Sequence, residues 1–242
     1  MRLFLFFLLT FFIPVTRGFS RTWEFVSGEK QVSLLELYTS EGCSNCPAVE
    51  EWFSKLTKSP LLWNELIPVA FHVDYWNYLG WTDPCSLPEA TSRQHEYVRE
   101  WGTHSVYTPE FVLNGREWRI GEINQSGKYG GILNLRISET GTVDASYTSS
   151  EKSSLSFLLN IVPMACGIRQ EVPRGENGGK TLRNDFVSLA VVQTPLRTDP
   201  DGMNRGRFII PSGIISKSDA IAAWISSQER LKPVQAVGGW LK

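Results

Sequence analysis

The sequence predicts an α/β domain followed by a β-rich, sandwich-like one (α/β + β). Three observations carry this. In the first half, buried-strand patterns alternate with helical ones. From about Gly130 onward the strongest period falls to two. Glycine turns then separate one short segment from the next. The chain has 242 residues, 42% hydrophobic and 20% charged. That length holds one large core or two small ones, and that composition is of a folded protein. Nine tryptophans point to a substantial core or an aromatic-lined surface. The formal net charge is −1, with no long run of either sign. Nucleic acid is therefore not the expected partner, since phosphate binding needs a basic face.

Residues 1–20 open with Arg2 and an apolar run, Leu3–Ile13, then Pro14 and small or polar residues. The run is about half the ~20 residues a spanning helix needs. This predicts a secretory signal peptide, cleaved after Gly18 or Ser20, with an uncleaved anchor as the alternative. Cysteine does not follow the run closely, which argues against a lipid-anchored form. Export would permit disulfides among Cys43, Cys46, Cys85 and Cys166. The expected location is secreted or periplasmic.

VSLLELYTS, residues 32–40, is apolar on both faces apart from Glu36, as a buried strand is. Gly42 and the two cysteines follow. Val49, Trp52, Phe53 and Leu56 then form one helix face, and Glu50 and Glu51 sit early, where carboxylates suit the helix dipole. LIPVAFHV, residues 66–73, reads as a second buried strand. DYWNYLGWTDP is a long aromatic loop. Pro88 suits a first helical position, and Gln94, Tyr97, Val98 and Trp101 give that helix a face. On it, Arg93 and Glu96 read as solvated or locally paired. VYTPEFVLNGREWRIG reads as a hairpin turning at Asn114–Gly115. The boundary is expected near residues 126–131, giving domains 25–128 and 130–242. Beyond it Leu133, Leu135 and Ile137 alternate, as do Val143, Ala145 and Tyr147, and Leu155, Phe157 and Leu159. Ser218–Ser227 fits a helix or a strand. GENGGKTLRNDFV lacks phosphate-loop spacing and reads as a β-turn before a strand.

The chemistry lies in TSEGCSNCP, residues 39–47. A C-x-x-C pair between a buried strand and an amphipathic helix suits a redox dithiol. The helix N-terminus lowers the thiolate pKa, and the second sulfur resolves a mixed disulfide. Cys43 is the expected attacking thiol and Cys46 the resolving one. Glu41 opposes the thiolate if it lies close. Thr108–Pro109 invites a cis peptide bond in a loop that offers backbone groups to a substrate chain. Trp76 and Trp81 either line a groove for that chain or pack one domain on the other. A static disulfide and a metal clip are the competing readings. Cys43 and Cys46 with His72, His95 or His104 would suit Cu(I) or Zn(II). The histidines lack ligand spacing, so the expectation is of no metal and no cofactor. His72 reads as a strand-end histidine satisfied locally.

Residues 32–120, with LYTSEGCSNCP, resemble a thioredoxin-like domain. The chain as a whole resembles the secreted bacterial family known as domain of unknown function 1223. The resemblance rests on ELYTSEGCSNCP, FHVDYWNYLGWTDP, residues 93–97, VYTPEFVLNG and GENGGKTLRNDFV. It implies a thioredoxin-like N-terminal domain before the β-rich one, and supplies no reaction. Two departures stand out. That family usually carries an aromatic residue where Cys85 stands, and no cysteine near Cys166. Both occurring here suggests a Cys85–Cys166 disulfide, closing about 80 residues and contributing on the order of 4 kcal/mol. Two unrelated buried thiols are the alternative. The functional expectation is an exported thiol–disulfide oxidoreductase, monomeric, acting on protein thiols and disulfides of the envelope after delivery by the export machinery. The alternative is a non-catalytic binding module or a metal carrier.

Overall fold

A computed structural model describes residues 21–123, 127–149 and 156–242. The expected signal peptide, Ser126 of the expected boundary and Leu155 lie outside the described residues. In chain order the elements are β1 (Thr22–Val26), β2 (Ser33–Thr39), α1 (Cys46–Ser54), β3 (Leu66–His72), α2 (Pro88–Trp101), β4 (Glu110–Leu113) and β5 (Arg116–Trp118). Then come β6 (Ile132–Ser138), β7 (Thr142–Thr148), β8 (Phe157–Ala165), β9 (Ile168–Glu171), β10 (Thr181–Asn184), β11 (Val187–Ser188) and β12 (Val192–Pro195). The last are β13 (Arg197–Thr198), β14 (Asn204–Ile209), α3 (Ser212–Ile215), β15 (Ala220–Ser227) and β16 (Pro233–Trp240). The described residues are thus mostly β, with three α-helices.

Local chemistry explains the elements that place the cysteines. β2 and β3 are buried along their whole length and pair in parallel, as near-continuous apolar strands do. Pro47 sits in the first turn of α1, where its missing N–H costs nothing. Pro88 opens α2, and Gly102 ends it at φ +68°. The hairpin β4–β5 turns at Asn114 (φ 51°) and Gly115 (φ 78°) as expected. A side chain at Gly115 would meet the Lys232 backbone, its Cβ 2.8 Å from that Cα. Ser218–Ser227 resolves to the strand β15.

The α/β-plus-β class stands, and strands pair across the expected boundary near residue 130. β5, β4, β2 and β3 continue through β11 into β8, β15 and β16, making one nine-stranded sheet with β12 attached to β8. β11 is the joint, parallel to β3 at Val187–Ala70 and antiparallel to β8 at Val187–Ala165. In return, β1 crosses the expected boundary and edges the second sheet, ordered β1-β6-β7-β14-β13. Register between strands more than a hundred residues apart leaves no local periodicity to read.

Two cores result. Period-two alternation in β15 sends Ala222 and Trp224 to one and Ile221, Ala223 and Ile225 to the other. The first core also takes Phe53 of α1 and Ala90 and Tyr97 of α2. The second lies against the five-stranded sheet, through Leu133, Leu135, Ile137, Val143 and Tyr147. This core lies between two sheets. One of its two sheets is the continuation of the first half's.

Candidate functional site

β2 ends at Thr39 and α1 begins at Cys46, so the cysteine loop spans the gap between a fully buried strand and a helix start. Two tight backbone bonds shape it, Cys43 N to Ser40 O at 3.1 Å and Cys46 N to Cys43 O at 3.2 Å. They bring the two Cα atoms to 5.4 Å, and Cys43 and Cys46 form a disulfide. Cys43 is 3% exposed and Cys46 fully buried.

The aromatic loop closes on this turn. A Cβ on Gly42 would lie 2.9 Å from the Cβ of Trp76, so glycine is what allows the approach. The Trp76 indole N–H donates to Thr108 Oγ1 at 2.7 Å, and Thr108–Pro109 is cis. Trp76 therefore stands between the cysteine loop and the cis-proline loop. Beside Pro109 lies a groove of about 620 Å³, lined by Val49, Tyr107, Phe111, Trp118 and Ile120. Trp81 is placed differently: its indole N–H donates to Glu41 Oε2 at 2.8 Å. It is part of the wall behind the cysteines.

That wall is a buried acidic cluster around one histidine. Asp83 Oδ2 accepts from the Glu41 backbone N–H at 2.9 Å and meets His72 Nδ1 at 2.7 Å. Glu50 accepts from Thr39 Oγ1 at 2.5 Å. Glu50 was expected to serve the helix dipole; instead it is buried, one turn into α1, while Glu51 is exposed and pairs with Lys55. Burial, then the charge of Asp83, pushes the Glu41 carboxyl up to about 7 against the Trp81 hydrogen bond. Burial likewise raises Glu50. Burial pulls His72 down, but Asp83, Glu50 and Glu41 more than offset it, and His72 stands at about 9. Asp83 is lowered overall, because His72 and two backbone N–H groups outweigh its burial.

A second cover comes from the turn before β10, which the sequence marked only as a turn. Asn177 is fully buried and its Nδ2 donates to Glu41 O at 2.8 Å and Cys43 O at 2.9 Å. Glu176 Oε2 accepts from the Ser44 N–H at 3.1 Å. These two residues touch the cysteine loop and were not singled out from sequence. The signal was an amide among glycines, in G-E-N-G-G.

The other expected residues separate. The Cys85–Cys166 bridge is corrected: both are free thiols. The Cys85 N–H donates to Asp83 Oδ1 at 2.8 Å, whereas Cys166 Sγ accepts from Phe186 N at 3.3 Å and its N–H donates to Asp219. The two are held by different partners, and burial pushes both up to about 12. His95 and His104 are exposed. Among the described residues, His72, Asp83 and Cys85 bring three donor atoms within 4.8 Å of one another. The cysteine pair is not in that group, and His72 Nδ1 and Asp83 Oδ2 already face each other. Arg93 is corrected too: it is 4% exposed and pairs with Glu36 of β2, Nε to Oε2 at 2.6 Å. Glu96 is exposed as expected.

The family described as protein of unknown function (DUF1223) matches residues 34–226. No curated protein matches by sequence. Two solved structures are similar. One is a crystal structure of a protein from Agrobacterium tumefaciens, 20% identical with a TM-score of 0.64, covering 89% of this chain and 97% of that one. The other is HBP35 of Porphyromonas gingivalis, 15% identical with a TM-score of 0.60, covering 89% and 76%. At these identities the likeness is one of fold.

Proposed function

This chain belongs to the DUF1223 family, whose description carries no reaction, and from its site we propose that it is a thiol–disulfide oxidoreductase of thioredoxin-like architecture. One observation carries the reading: a Cys43–Cys46 disulfide at the start of α1, joined through Trp76 to the cis Thr108–Pro109 loop. The strand order β3-β2-β4-β5, with β2 parallel to β3 and antiparallel to β4, supports the architecture.

In the reducing direction, the Cys43 thiolate attacks a substrate disulfide, forming a mixed disulfide and releasing one substrate thiolate. The Cys46 thiolate then attacks Cys43 Sγ, closing the protein disulfide and releasing the second. Two electrons pass to the substrate and its two thiolates take up protons. The oxidising direction is the reverse. The Pro109 groove, walled by Val49, Tyr107, Phe111 and Trp118, takes the extended substrate chain, with Thr108 and Trp76 beside it. The apolar segment before residue 14 and the disulfide together support an exported protein acting on envelope or secreted proteins. Among the described residues, no helix is long and apolar enough to cross a membrane.

Burial of both sulfurs favours a second reading, in which the disulfide is a permanent staple of a binding module. The test separates them. Cys46→Ala, produced in the native host, is expected to carry thiol-sensitive mixed disulfides on Cys43, absent when Cys43 is also replaced. An empty trap, with the wild-type disulfide resistant to glutathione, selects the staple.

A further inference from the structure

Across the cysteine loop runs the segment Gly175–Lys180, contributed by the far half of the chain. Its backbone is held in place on its own account. Gly175 takes φ +81° and Gly179 φ +82°, and Gly179 N–H donates to Val172 O at 2.7 Å. Lys180 Nζ donates to Asn177 Oδ1 at 2.8 Å, which leaves Asn177 Nδ2 aimed at the two loop carbonyls. Gly175 passes close to the aromatic loop, where a Cβ would lie 3.4 Å from Leu79 O. The segment is thus a strap pinned at both ends, and its two middle side chains land on the cysteine loop.

The two landings differ in chemistry. Asn177 is neutral and binds the carbonyl of Cys43, fixing the backbone of the attacking residue. Glu176 brings a carboxylate to the backbone N–H of Ser44, the residue next to Cys43. An N–H ahead of a helix is the kind of donor that stabilises a thiolate. In the disulfide form there is no thiolate, and the Glu176 contact is favourable. In the dithiol form the Cys43 sulfur develops its charge one residue from an N–H that the Glu176 carboxylate already holds.

We propose that Glu176 and Asn177 are positioning residues of the dithiol site, with Glu176 biasing the Cys43–Cys46 pair toward its disulfide and Asn177 limiting attack on Cys43. The inference rests on the oxidoreductase reading and names what sets that site's poise. The balanced reaction is protein disulfide plus two glutathione thiols giving protein dithiol plus glutathione disulfide. Two electrons and two protons move to the protein.

The experiment equilibrates the full exported chain with glutathione and counts free thiols by alkylation. It compares wild type, Glu176→Gln, Glu176→Asp and Asn177→Ala. Glu176→Gln is exposed and keeps the size of the side chain, so its folding is not at issue. It is expected to raise the equilibrium constant for reduction about tenfold, about 30 mV. The pH profile of Cys43 alkylation in the reduced protein is expected to move to lower pH. Glu176→Asp, which keeps the charge, is expected to stay within threefold of wild type. Asn177→Ala is expected to speed attack of glutathione on the disulfide severalfold. Unchanged equilibrium and unchanged alkylation profile in Glu176→Gln overturn the inference and make the strap mere packing. A shifted equilibrium with an empty Cys46→Ala trap keeps the inference and removes the oxidoreductase reading. A filled trap with no shift does the reverse.

Discussion

His72 ends β3 with its ring wholly buried, Nδ1 on Asp83 and Nε2 without a hydrogen-bond partner. Its pKa of about 9 lies above the ordinary 6.5. The charged ring therefore stabilises the fold fully below about pH 6.5, and this is lost as pH rises through 9. The shift corresponds to on the order of 3 kcal/mol. Glu41 and Glu110, each raised to about 7 from 4.5, act in the same direction at lower pH. Their stabilisation is complete below about 4.5 and gone above 7. Asp83, lowered, acts oppositely: its contribution is lost as pH falls through its depressed pKa. The urea midpoint is thus expected to fall between pH 5 and 9.5. Asp83→Asn should abolish the part of that fall above pH 7, with His72 titrating well below 9 by NMR. A midpoint that is flat from pH 6.5 to 9.5 would refute the assignment.

Between elements, the Glu36–Arg93 pair ties β2 to α2. Glu36 accepts from Arg93 Nε at 2.6 Å and Nη2 at 3.1 Å, from Tyr97 OH at 2.6 Å and from Tyr38 OH at 3.0 Å. The guanidinium also stacks over Trp224 of β15, 4.9 Å from the ring centroid. Glu36→Gln would leave a buried cation without its counter-charge, and about 3–5 kcal/mol of stability should go with it. The double change Glu36→Leu, Arg93→Met should recover most of that loss in the same denaturation experiment. A single variant within about 1 kcal/mol of wild type would show the pair to be dispensable. This pair also marks what was legible. Glu36 is the lone charge in an apolar strand, and a buried carboxylate needs a counter-charge. The cation, 57 positions away, reads from sequence as solvated or locally paired because a helix face sorts arginine by type rather than by a distant partner. The C-x-x-C junction, the α2 face and the Asn114–Gly115 turn were legible because their signals are local. The strap was not, because Asn177 finds its carbonyls 134 and 136 positions back along the chain.

Over the whole molecule, the nine-stranded sheet takes strands from both halves of the chain. Without β11 the outer edge of β3 loses its partner, and Trp224 and Met164 leave the first core. A fragment of residues 21–128 is therefore expected not to unfold cooperatively, while the full chain gives one transition by near-UV and far-UV circular dichroism alike. A fragment with its own sharp transition would restore two independent domains. Strand periods show where strands are but not which strands are neighbours, which is why the halves looked separable. The same interleaving sets a biosynthetic clock. Asn177 follows Cys43 by 134 positions. A chain made from its N-terminus at ~5–20 residues per second leaves the dithiol uncovered for on the order of ten seconds. In newborn molecules the cysteines therefore lie open before the strap exists to close over them.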